Sequence, residues 1–216
     1  MNVSAAIQQT ILAERLARSG FSFPDECLAN LSIYLHQLMK WNKAMNLVGT
    51  NSWEKTLDTL VLDSFHLADF FCSIDLAADP TTFDLGAGAG LPGIPLRMVW
   101  SKGTYTLVEV REKRALFMKT VLASLNLERV RVFQGRAEDF FASETPADRI
   151  ISRAFMPWQD MLAFIADALA PEGQVVFLTL SPAPEKIPVP WRLVAQKAYW
   201  VDKTQRHFWC LTRSVS

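Results

Sequence analysis

The segment Phe83-Asp84-Leu85-Gly86-Ala87-Gly88-Ala89-Gly90-Leu91-Pro92-Gly93-Ile94-Pro95 follows a short apolar run and opens a helical pattern, with three glycines at alternate positions. Such spacing removes the Cβ atoms that would hold a ligand away from the backbone, and it permits positive φ in a tight strand-to-helix turn. Pro92 and Pro95 fall in the first turn of the following helix, where a missing N–H is tolerated. A turn of this kind lies at the carboxyl end of the first parallel strand, where open α/β sheets bind ligands.

The remainder of the chain agrees with that reading from about Asp79 onward. Short apolar runs at 82–85, 105–110, 130–133, 149–152 and 174–180 alternate with helical patterns at 92–100, 111–125 and 157–169. Alternation of this kind predicts parallel βαβ units in a sheet covered on both faces. Leu193–Val201 and His207–Arg213, joined near 202–205, predict a terminal antiparallel pair, and four prolines within Ser181–Pro190 require a loop. Upstream the periodicity is helical. One stripe carries Ile7, Ile11, Leu12 and Leu16, a second helix runs from Pro24-Asp25 to Trp41, and a third spans 57–71 after a loop at 46–51. The expected organisation is a helical lobe over 1–78 and a Rossmann-like α/β domain over 79–216.

With 50% apolar and 20% charged residues in 216, disorder is excluded. Basic and acidic side chains balance at 22 each, but residues 1–80 hold 5 basic and 9 acidic groups against 17 and 13 in the remainder, so the second portion is the better placed to meet an anion. Cys27, Cys72 and Cys210 have no metal or redox spacing and read as reduced, partly buried thiols. His36, His66 and His207 show no ligand spacing, so no metal is expected. The N-terminus lacks a basic region followed by an apolar stretch, and no uncharged apolar run reaches 18 residues. The expectation is a cytoplasmic protein without a membrane span, and a monomer.

Gly88, Gly90 and Gly93 also satisfy the dinucleotide G-x-G-x-x-G pattern, so a dinucleotide fold has to be weighed, as does a glycine turn with no ligand. Asp84, two residues before Gly86, is ill placed for a pyrophosphate but suits the amino group and sulfonium of S-adenosylmethionine. Glu109, ending the second strand 19 residues after Gly90, has the position and chemistry to accept two ribose hydroxyls; its simpler reading is a first-turn helix acid. Gly135-Arg136-Ala137-Glu138-Asp139, after the third strand, would border the adenine.

The fourth strand, Ile150-Ile151-Ser152-Arg153-Ala154-Phe155, has neither the N-P-P-Y-type turn of exocyclic-amine methylation nor a cysteine nucleophile. Guanine N7 carries a free lone pair and needs no general base. No catalytic residue is required beyond positioning groups, for which Arg153 and Phe155 are the candidates, by guanidinium contacts and by stacking. The alternatives are a surface ion pair for Arg153 and a core place for Phe155. Trp41, Phe65 and Phe117 read as core, and Lys113-Arg114 as a solvated face with an RNA contact as the alternative.

Taken together these motifs resemble the ribosomal small-subunit methyltransferase G family, also called glucose-inhibited division protein B, over nearly the whole chain. Trp41 to Leu47 is similar to its W-N-x-x-x-N-L element and Leu62-Asp63-Ser64 to L-D-S. Asp84 to Leu96 is similar to D-x-G-x-G-x-G-x-P-G-I-P-L, Lys113-Arg114 to K-R, and Ile151 to Phe155 to I-S-R-A-F. The resemblance implies a class I S-adenosylmethionine-dependent methyltransferase with a helical N-terminal extension, acting on guanine N7 of small-subunit (16S) ribosomal RNA or the assembled 30S particle. It places cofactor contacts on Gly86, Leu91, Ala137, Glu138 and Arg153, with Glu109 as the second-strand acid and Gly88 and Gly90 in the same loop. The chain departs from the family in having Thr59-Leu60 for Arg-His, in lacking the fifth-strand lysine at Leu178-Thr179-Leu180, and in a lysine-poor tail. Those losses fall on groups facing RNA or substrate, so an acceptor other than this guanine, or a non-catalytic RNA-binding factor, is the alternative.

Overall fold

A computed structural model describes residues 7–74 and 77–214; the first residues, on which the reading of the N-terminus rests, lie outside them. Seven strands form one sheet in the order β3-β2-β1-β4-β5-β7-β6. They are β1 (Thr81–Leu85), β2 (Thr104–Glu109), β3 (Val130–Gln134), β4 (Ala147–Arg153), β5 (Leu169–Thr179), β6 (Trp191–Val201) and β7 (Thr204–Arg213). β1 to β5 pair in parallel, and β7 lies antiparallel between β5 and β6. The order reverses between β1 and β4, so the crevice outside their carboxyl ends is the place this topology reserves for a ligand.

Helices α1 (Gln9–Arg18), α2 (Asp25–Met45), α3 (Trp53–Thr56) and α4 (Leu62–Cys72) precede the sheet, with a π-helical turn, Leu57–Val61, joining α3 to α4. They cover one face together with α5 (Gly93–Val99) and α6 (Glu112–Leu122), and α7 (Ala137–Phe141) and α8 (Trp158–Phe164) cover the other. One continuous apolar cluster runs from Leu12 and Tyr34 through Phe65 and Phe117 to Phe208, so the helical segment and the sheet share a core. Phe65 and Phe117 are buried as expected, and Trp41 packs on Phe117. Cys27 and Cys210 are buried, whereas Cys72 is exposed. Among the described residues no helix is long and apolar enough to cross a membrane.

The helix expected over 157–169 stops at Phe164, and β5 begins at Leu169, five residues earlier than its apolar run predicts. Pro171 disfavours helical backbone at Ala170. Leu169 pairs with Ala147, and the register is then irregular until Gln174 meets Arg149. Gly173 sits in that irregularity because a Cβ there would lie 2.8 Å from the Ala147 carbonyl oxygen. The terminal hairpin is also longer than expected, with its tight turn at Asp202, whose φ is 54°.

Candidate active site

All three loop glycines adopt left-handed backbone, with φ of 69° at Gly86, 59° at Gly88 and 75° at Gly90. Each would cost another residue about 1–2 kcal/mol in backbone strain. The amides of Gly86 and Ala87 donate to the Val108 carbonyl at 2.9 and 3.1 Å, stitching the loop to the end of β2. From α2, the buried Tyr34 hydroxyl donates to the Ala89 carbonyl at 3.0 Å. The glycines then divide their work. A Cβ on Gly90 would lie 2.4 Å from Ile94, and one on Gly93 2.5 Å from Leu107, so these two let α5 pack on the sheet. Only Gly86 and Gly88 line the crevice, and the nearest atom to a Cβ on Gly88 is Nη1 of Arg114, 3.7 Å away.

Glu109 ends β2 almost fully buried. One carboxylate oxygen accepts from the Gly88 amide and the other from the Arg111 amide, both at 2.9 Å. It therefore ties the glycine loop to the start of α6 and still has unused lone pairs, since a carboxylate accepts about four hydrogen bonds. Asp84 does not line the crevice. It faces the layer between sheet and helices, where it accepts from the Tyr105 hydroxyl at 3.1 Å, and burial pushes its carboxyl up to about 7. The expected pairing of Asp84 with the cofactor's amino group is therefore not what this geometry offers, because alternation along β1 turns Phe83 and Leu85 to one face and Asp84 to the other.

Ala137 is buried at the start of α7, and the exposed Glu138 pairs with Arg136 at 2.8 Å. Arg114, expected on a solvated face, is half-buried beside Gly88. The Phe155 ring lies over Gly86, where a Cβ would come within 2.7 Å of it, and packs against Phe164. Its contacts are those of a residue that packs against the loop and fixes it.

Across a crevice of about 270 Å³, the glycine loop and Leu91 face Leu47, Val48 and Gly49. Asn42 holds that opposite wall: its amide donates to the Thr50 carbonyl and the Asn51 side chain, both at 2.9 Å, and its oxygen accepts from the Val48 amide at 2.8 Å. Arg153 stands between this crevice and a second cavity of about 230 Å³, lining both, as does Leu60 from the π-helical turn. Such turns add a residue to a helix and re-aim its side chains. Arg153 is 3.6 Å from the buried carboxylate of Asp63, which also accepts from the Tyr199 hydroxyl at 2.9 Å and from Arg206. The helical segment, β4 and the terminal hairpin thus meet on one carboxylate.

A family model described as rRNA small subunit methyltransferase G matches residues 27–187. The chain belongs to that family. Among its relatives, the ribosomal RNA small subunit methyltransferase G of Nitratidesulfovibrio vulgaris (strain DP4) is 50% identical over 193 residues, 89% of this chain and 88% of the relative. The Lawsonia intracellularis protein of the same name is 42% identical over 216 residues, 99% of this chain and 100% of that one. A solved SAM-dependent methyltransferase from Aquifex aeolicus superposes with a TM-score of 0.51 at 17% identity, over 73% of this chain and 92% of that chain, a likeness of fold.

The chain is accordingly a methyltransferase of the Rossmann-like class I fold, and its methyl donor is S-adenosylmethionine. The residues present fit that group. A nucleoside needs a carboxylate acceptor, which Glu109 supplies, and close backbone, which the side-chain-free edge at Gly86 and Gly88 supplies. Sequence reasoning singled out the loop, Glu109 and Arg153 but missed Tyr34, Tyr199 and Arg206, and it knew Asn42 and Asp63 only as parts of family motifs. Tyr34 lies in the apolar stripe of α2 and gave no polar signal. Tyr199 and Arg206 lie more than 130 residues from the aspartate they hold.

Proposed function

We propose that this methyltransferase modifies N7 of a guanine in small-subunit (16S) ribosomal RNA, in the cytoplasm and as a monomer, on the free RNA or the assembled particle. The observation that carries the reading is the set of strand ends. The left-handed glycine loop after β1 and Arg153 at the end of β4 line one crevice at the switch point of the sheet, Glu109 at the end of β2 is hydrogen-bonded to the Gly88 amide of that loop, and Ala137 and Glu138 follow the carboxyl end of β3.

When bound, S-adenosylmethionine supplies an electrophilic methyl group on a sulfonium. Glu109, already fixed by two backbone amides, accepts the ribose hydroxyls through its remaining lone pairs. Gly86, Gly88 and Leu91, with Gly90 shaping the turn, present backbone to the methionine part. Ala137 and Glu138 border the adenine, and Arg153 holds cofactor or base from its place between the two cavities. Phe155 acts by packing against Gly86 and fixing the loop. N7 would bond to the methyl carbon through its lone pair as the carbon–sulfur bond breaks and its electron pair goes to sulfur, and it loses no proton, so none of these residues needs to serve as a base. Alignment of the two reactants supplies the acceleration.

Isothermal titration with S-adenosylmethionine should give a saturable one-site heat. No saturable heat at millimolar concentration overturns the assignment of these residues, and a nucleoside map of ribosomal RNA from cells with and without the protein checks the acceptor.

A further inference from the structure

The second cavity joins the methyl-donor crevice through the Leu60 and Arg153 side chains that line both. Its charged floor is Asp63, Arg153 and Arg206, and Leu60 and Leu178 give it apolar walls. The floor has far more donors than acceptors. Each guanidinium carries five N–H groups and can accept nothing. Asp63 takes one contact from Arg206 and one hydroxyl from Tyr199, and Arg153 makes no hydrogen bond among the described residues, only its 3.6 Å ion pair. Nη1 of Arg153 and Nε of Arg206 are both buried without a hydrogen-bond partner. Those two nitrogens are closed to solvent, so an occupant bearing acceptors meets the open part of each guanidinium, whose remaining N–H groups have no acceptor besides Asp63. Both guanidiniums remain partly open, at 25% and 17% exposure, whereas Asp63 is 4% exposed and is spent on holding them.

A purine fits this chemistry between apolar walls. The edge of guanine that carries N7 also carries O6, an acceptor, while adenine presents an amino donor at the same place. A donor-lined floor therefore accepts the first and repels the second. We propose that this cavity seats the target guanine and that Arg206 is a specificity-determining residue, donating to O6 so that N7 is left free toward the crevice beyond Leu60 and Arg153. The proposal rests on the guanine N7 reading above and names the group that selects the base. Asp63, held by Tyr199, is a positioning residue that keeps Arg206 in place.

The test uses the full chain, S-adenosylmethionine, and small subunits carrying guanine, inosine or 2-aminopurine at the methylated position. Inosine keeps N7 and O6 but loses the 2-amino group, and 2-aminopurine keeps N7 and loses O6. Wild type should methylate inosine within about tenfold of guanine and lose about 100-fold or more with 2-aminopurine, as sites built to pair a polar group do when it is absent. Arg206→Gln should lose about 100-fold in kcat/KM on guanine while binding S-adenosylmethionine within about twofold of wild type, and its preference for O6 should shrink below about tenfold. Arg206→Lys, which keeps a cation in the cavity, should restore part of both and guards against a Gln variant that fails to fold. A wild type indifferent to O6, or an Arg206→Gln that retains the full O6 preference while losing rate on every base alike, overturns the proposal and assigns Arg206 to a phosphate or to the fold. Wild type that transfers no methyl to guanine subunits overturns the N7 reading, and this proposal with it.

Discussion

Two arginines at opposite ends of the sheet, one buried and one half-buried, have opposite hydrogen-bonding states. At the amino end, Arg97 of α5 donates through Nη1 to the Lys102 carbonyl and through Nη2 to those of Ser101, Gly103 and Glu128, at 2.6–3.2 Å, leaving only Nε without a partner. Its guanidinium also stands 5.5 Å from the Trp100 ring centre and 5.7 Å from that of Tyr105. At the carboxyl end, Arg153 hydrogen-bonds nothing among the described residues, and its one ion pair, with Asp63, is 3.6 Å long. A saturated buried cation stitches loops together; an unsaturated one beside two cavities keeps its donors for a ligand. Exposure, 4% for Arg97 and 25% for the Arg153 side chain, does not say what either guanidinium is there to bind. The count of filled donors does.

The comparison breaks most readily by deleting each guanidinium. Arg97→Ala leaves four carbonyls and a cavity behind, and should cost about 3 kcal/mol, which in a domain of this size lowers Tm by about 6–12 °C. Its methyl transfer below that Tm should follow the folded fraction. Arg153→Ala should reverse the pattern, with transfer lower by about 100-fold and Tm within about 2 °C of wild type. Calorimetry and initial rates on the same preparations decide, and equal losses of both properties in Arg153→Ala would make it a structural residue like Arg97.

Asp84 sharpens the contrast from beneath the loop. Burial raises its carboxyl from 3.8 to about 7, outweighing the Tyr105 hydrogen bond, the Arg153 charge and the Gly93 amide. The folded protein keeps a proton that the unfolded chain has already released. The stability this confers is therefore complete below pH 4 and is lost as the pH rises toward about 7, with a slope of at most about 1.4 kcal/mol per pH unit. Asp84→Asn should flatten the denaturation midpoint between pH 4 and 7. A variant profile parallel to that of wild type would remove Asp84 as the titrating group. The smallest effect belongs to Tyr34→Phe, which strips one hydrogen bond from the Ala89 carbonyl. It should cost about 1 kcal/mol and raise the KM for S-adenosylmethionine about two- to fivefold at nearly constant kcat.

Much of the sheet was legible because its signals are local. Alternate glycines after an apolar run fix a strand, a turn and a helix start within fifteen residues, and Glu109 declares itself by ending the next strand. Boundaries failed where a partner decides them. β5 starts at Leu169 because Ala147 is there to pair with it, which the composition of Leu169-Ala170-Pro171 does not foretell. The role of Asp84 was misjudged for a related reason, since its distance from Gly86 along the chain says how near the ligand it lies but not which face of β1 it occupies.

The amino-acid sequence by itself determined the alternation of strands and helices, the left-handed loop and the chemistry of Glu109, since each depends on neighbours within one turn or one strand. Only the tertiary structure decided that Tyr34 holds the loop, that Asp63 joins Arg153 to Arg206, and that one arginine is saturated while another is not. The first two are contacts between segments 55 to 143 residues apart. Their geometry is set by how helices and strands pack, and no local pattern encodes it.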